Sequence, residues 1–213
     1  MTGSALCSGR KTKQKGRNDM QNQTVLPAGY VRLMELNLQR DRRLMLLVNG
    51  LSLLIAAALA AAAHPFIPIG ALFDLSSGMA AYVLRFIALL AAMVAYMLLH
   101  EFVHGVFMRH FSGVRPHYGF TGLYAYAGSS AYFNKRSYIV IALAPVVLLG
   151  VLLAAICLLV PRTWFWVAYA VEIINLSGAA GDYYVTCRLC RLPDDILVQD
   201  AGVSMTVYVR TDE

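Results

Sequence analysis

Four long apolar blocks, separated by short polar punctuation, dominate the chain. The first, Leu44 to about Ala63 (LMLLVNGLSLLIAAALAAAA), runs twenty residues without a charge. As a helix that spans about 30 Å, the thickness of a hydrocarbon core. The linker HPFIPIGALFDLSSG, with two prolines and two glycines, ends it. Met79 to about Phe111 forms the second block and Tyr138–Val160 the third, which Pro145 is expected to kink. After the turn PRT, Trp164 to about Cys187 forms the fourth. The pattern changes character between the second and third blocks. Residues 112–136 alternate aromatic with small or polar side chains, as short strands do. Residues 196–209 read as two strands around Asp-Ala-Gly, a three-residue hairpin loop. Leu26 to Arg43 suits either a short strand or a surface helix leading into the first block, and residues 1–24 are polar enough to predict disorder.

The expected fold class is therefore an all-α membrane protein of four transmembrane helices. A short β-like loop lies between helices 2 and 3, and a small β-hairpin follows helix 4. Four units follow: a basic arm (1–25), a juxtamembrane segment (26–43), a four-helix transmembrane domain (44–187) and a tail carrying the hairpin (188–213). Composition agrees, with 59% hydrophobic and 14% charged residues and a mean hydropathy of +0.59. Charge then sets the orientation. Residues 1–43 hold nine Lys and Arg, and Arg109, Arg115, Lys135 and Arg136 lie between helices 2 and 3. Arg188 and Arg191 open the tail, whereas the loop between helices 1 and 2 has neither Lys nor Arg. The positive-inside rule puts both termini in the cytoplasm of a multi-pass cell-membrane protein. The bilayer and a membrane protein or peptide are the expected partners. Nucleic acid is not, because the net charge of +6 sits in an arm and not on a binding face. Cys187 and Cys190 form a lone C-x-x-C without a second pair, which reads as two thiols at a helix end and not as a zinc or redox motif.

The chemistry is concentrated in MLLHEFVHGVF, residues 97–107, where three ionisable groups interrupt an apolar helix. His100 and His104 are one turn apart on one face, so both imidazoles can bind one metal ion. Glu101 is within reach of a water on that metal, where it can act as the base that activates it. Charges at membrane depth are costly, which makes accident a poor account of this motif. A catalytic zinc wants a third protein ligand and an open position. His64, His110, His117, Glu172 and Asp182 are the candidates. Asp182 lies at the depth of the two histidines, near the cytoplasmic end of helix 4, and His64 falls on the opposite side. Glu172 is about 15 Å from Asp182 along the helix. It is expected to stay protonated, pair with Arg85 or line a water path. Asn175 either holds the substrate or its oxyanion, or makes an interhelical hydrogen bond. Gly178, Ala179, Ala180 and Gly181 are expected to let helix 4 approach helix 2 closely.

HEFVH on one span and N-x-x-G-x-x-G-D on a later one resemble the intramembrane zinc metalloproteases of the site-2 protease clan. A closer resemblance, over about residues 26–209, is to a bacterial family of four-span zincin-type peptidases, whose tail is similar to GDYYVTCRLCRLPDDILVQD here. The resemblance implies one Zn²⁺ held by His100, His104 and Asp182, with Glu101 as catalytic base. The chain departs from the clan's second motif, which has prolines before an Asp-Gly pair; here glycines fill that stretch and Tyr183 follows Asp182. The resulting expectation is an integral membrane zinc metallopeptidase that cuts a peptide bond at or within the cytoplasmic side. Its substrate would lie extended beside an edge strand drawn from residues 117–133, and Gly113, Gly119 and Gly122 would let that loop move. The alternative is a non-catalytic scaffold or regulator with structural zinc or none. Neither substrate nor oligomeric state is written in the pattern.

Overall fold

In the computed structural model, residues 22–37, 40–122 and 124–211 are described. The expected disorder of the arm falls on residues outside these, apart from its last few. Strand β1 (Tyr30–Leu36) precedes helix α1 (Arg42–Ala63), and α2 (Met79–Ser112) follows a 3-10 turn at Ile69–Phe73. Strands β2 (His117–Phe120), β3 (Ala125–Gly128) and β4 (Tyr132–Asn134) lead directly into α3 (Lys135–Leu159). A second 3-10 turn, Arg162–Trp164, precedes α4 (Phe165–Gly178) and α5 (Ala180–Cys190), and β5 (Leu197–Asp200) and β6 (Met205–Arg210) complete the order.

Local chemistry explains the helix boundaries. Asp41 caps α1 by accepting from the Arg43 and Leu44 N–H groups, and Asn134 caps α3 by accepting from Ser137 N–H. Gly113 ends α2 in the left-handed conformation at φ 72°, which a side chain would strain. Three helices, α1, α2 and α3, are long and apolar enough to cross a membrane. The segment expected to form a fourth span is instead two shorter helices. A turn at Ala179, inside the run Gly-Ala-Ala-Gly, separates α4 from α5. Two glycines in four residues weaken the helix there, and Asp182 then falls in the first turn of α5.

The β structure exceeds the expected hairpin. Strands β5 and β6 do form it, but β1 and β4 extend it into an antiparallel sheet of order β1-β6-β5-β4. The juxtamembrane segment thus resolves to a strand. At the outer edge of β4, Gln23 exchanges backbone hydrogen bonds with Tyr132 at 2.7 and 2.8 Å, and Asn22 donates to the Phe111 carbonyl. Strands β2 and β3 pair separately as a two-stranded ribbon. The core lies where this sheet meets the helix ends, with Met108, Phe133, Ile141, Leu189, Val198 and Val207 almost fully buried. In α1, by contrast, only Leu44 and Ala63 are buried. Its Leu46, Leu47, Leu53 and Leu54 are exposed, as a lipid-facing helix requires.

The bundle is uneven. Helix α4 packs on α1, α2 and α3, whereas α1 makes no substantial contact with α2. At the far end from the sheet, buried Arg85 of α2 donates to the Asp74 and Thr163 carbonyls, one in each of the two loops on that side. Its expected partner, Glu172, is not among these.

Candidate metal centre

Three side chains from two helices converge on one point. Helical spacing puts His100 and His104 on the same face of α2, and the break at Ala179 precedes Asp182 by three residues. The two Nε2 atoms are 3.1 Å apart, and Asp182 oxygens lie 3.5 Å from His100 Nε2 and 3.8 Å from His104 Nε2. Donor atoms of the three residues all fall within 4.8 Å of one another. Four ligands at zinc's usual bond lengths stand about 3.3 Å from each other in a tetrahedron, so the observed separations bracket the required value. Among the described residues this is the one such group.

The other ring nitrogens are also engaged. His100 Nδ1 lies 2.9 Å from the Tyr96 hydroxyl, and His104 Nδ1 lies 2.9 Å from the Ile141 carbonyl. A carbonyl can only accept, so neutral His104 carries its proton on Nδ1 and turns the Nε2 lone pair inward. Two Nε2 atoms and a carboxylate face one another across 3.1–3.8 Å, a set that a cation between them would hold together. The donor set and its spacing therefore fit a divalent metal, and a neutral imidazole with its second nitrogen hydrogen-bonded is the usual ligand state.

Two cavities meet at this point. One, about 520 Å³, runs from Val48, Asn49 and Ser52 of α1 past Met93 and Met97 of α2 to His100 and Glu101. The other, about 210 Å³, holds His100, Glu101, His104 and Asp182 under Tyr126 and Ala127 of β3. Glu101 borders both and receives the Ala127 backbone N–H. Gly178 and Gly181 line both cavities, and a Cβ at Gly181 would meet nothing within 4 Å. Gly181 thus opens space beside the site, whereas Ala179 and Ala180 between the two glycines are fully buried.

The remaining expected residues are elsewhere. Asn175 is fully buried, with Nδ2 donating to the Val146 carbonyl of α3 and to Glu172 Oε2, each at 3.2 Å. Of its two expected roles, the structure contains the interhelical hydrogen bond and does not bring the amide to the cavities. Glu172 is buried beside it and does not join the metal cluster. His64, His110 and His117 are exposed and outside the cluster. His64 Nδ1 accepts from Ile69 N–H, and His117 packs against Gly128.

Sequence reasoning missed four contributors. Tyr96, four residues before His100, carried a readable signal in its helical spacing. Asp200, in the LVQD segment, lines the second cavity and accepts from the Tyr138 hydroxyl at 2.5 Å and the Gly202 N–H at 2.8 Å. Burial pushes its carboxyl above the usual range, with those two hydrogen bonds pulling back. Tyr118 of β2 lies over Gly105 of α2, and its hydroxyl is raised first by burial and then by the Glu101 charge. Finally, the carbonyl of Ile141 could be assigned only from the three-dimensional packing.

A family described as "Putative zincin peptidase" matches residues 93–197. The chain is similar to a zincin-like peptidase. The matched stretch contains His100, Glu101, His104 and Asp182, so the likeness and the geometry fall on the same residues. No curated protein and no solved structure matched.

Proposed function

We propose that the protein is an integral membrane zinc metallopeptidase acting at the cytoplasmic side of the bilayer. The observation that carries this reading is the convergence of His100, His104 and Asp182 at tetrahedral spacing inside a cavity bordered by Glu101. When bound there, a zinc ion supplies Lewis acidity and makes water acidic near neutral pH. Glu101 takes the proton from water and returns it to the leaving amide nitrogen. Tyr96 and the Ile141 carbonyl hold the two imidazoles in register. The substrate lies extended against β3 in the cavity, reached from the membrane through the cleft between α1 and α2. A helical peptide bond is shielded by its own hydrogen bonds, so the segment unwinds before attack. In this reading α4 and α5 together form the fourth span, and both termini face the cytoplasm, in line with the Lys and Arg distribution.

Metal analysis of detergent-purified protein tests this directly. Wild type is expected to hold close to one zinc, and His100→Ala and Asp182→Ala to lose it. Glu101→Gln is expected to keep both fold and zinc while cleavage falls by at least about a hundredfold. Zinc-free wild type with an intact fold favours a scaffold and ends the peptidase reading.

A further inference from the structure

Helix α3 contains Pro145 and continues through it from Lys135 to Leu159. In an α-helix the carbonyl of residue 141 accepts from the N–H of residue 145. Proline has no N–H, so the Ile141 carbonyl loses its helical donor. Both residues are buried, Ile141 at 1% exposure, and a carbonyl left without a donor there is costly. The missing donor is supplied from another helix: His104 Nδ1 of α2 lies 2.9 Å from this oxygen. One residue in the middle of α3 thus exposes the acceptor that a metal-site histidine uses.

We infer that Pro145 is a positioning residue for the metal centre: by withholding its N–H it frees the Ile141 carbonyl to fix the tautomer and orientation of His104. The same ring is destabilising in an ordinary helix interior, and α3 carries it at the level of the site. Restoring an N–H at position 145 gives the carbonyl a competing donor four residues along its own helix. His104 is then free to rotate or to carry its proton on Nε2, which blocks the nitrogen facing Asp182. Loss of such an outer hydrogen bond typically lowers metal affinity 10- to 100-fold. This inference rests on the metal-centre reading but can fail separately from it.

The test compares three proteins in detergent: wild type, Pro145→Ala, and a variant with lactic acid at position 145. Lactic acid has the alanine side chain, yet its ester linkage has no N–H. Removal of a helix proline is not expected to unfold the protein, and any gap left by the ring is common to both variants. By chelator competition, Pro145→Ala is expected to bind zinc about tenfold more weakly than wild type, and the lactic acid variant to recover most of that loss. Imidazole ¹⁵N spectra of the metal-free proteins give a second readout. His104 is expected to be the Nδ1–H tautomer in wild type and the ester, and mixed in Pro145→Ala. Equal zinc affinity and equal tautomer populations in the alanine and lactic acid variants overturn the inference. If wild type binds no zinc the peptidase reading fails, and the metal-free tautomers still decide this one.

Discussion

At the residue scale, each metal-site histidine is held by one partner. For His100 the partner is Tyr96, buried one turn earlier on α2. Replacing Tyr96 by Phe keeps the ring and removes the hydroxyl hydrogen-bonded to His100 Nδ1. Zinc affinity is expected to drop about tenfold, read by chelator competition, with thermal stability nearly unchanged. The histidine pair and its acid were legible because the 3.6-residue period fixes which side chains share a face. Asp182 was legible from depth, because helices 2 and 4 are read as running in the same direction across the membrane. Asn175 was not assignable, since its alternatives differ only in whether the amide meets a cavity or the Val146 carbonyl, and the wheel angle is the same in both cases.

At the element scale, the β2–β3 ribbon roofs the site, and aromatic rings seat it on glycines. The Tyr118 ring occupies the space above Gly105, and Tyr126 that above Gly119 and Gly202. The tightest backbone approach is at Gly128, where a Cβ would come 2.7 Å from the Ala201 carbonyl carbon. Backbone cannot swing aside as a side chain can. Gly128→Ala is therefore expected to destabilise by about 1–3 kcal/mol and to displace β3 from the cavity, read as a lowered melting temperature together with faster proteolysis of the ribbon. Sequence alternation predicted strands in this region because period two is visible locally. It did not predict the four-stranded sheet, since β1 and β6 are brought together by pairing across most of the chain. Nor did hydropathy reveal the break at Ala179, where Gly-Ala-Ala-Gly carries neither a charge nor a proline.

At the scale of the whole molecule, hydropathy located the three uninterrupted spans to within a few residues, because burial in lipid demands long unbroken apolar helices. The proposed four crossings, with α4 and α5 completing the last, predict where each loop is accessible. A cysteine introduced at Ser77 is expected to react with a membrane-impermeant maleimide added outside intact cells, and one at Asp194 only after permeabilisation. Labelling of both from the same side would remove the proposed topology.

Arg85 gives the bundle an anchored end. Its guanidinium donates to carbonyls in two loops and so ties that end of the bundle against splaying. For the proposed peptidase the Arg85 end is then the fixed one, and a guest backbone is expected to enter alongside α1, which makes no substantial contact with α2.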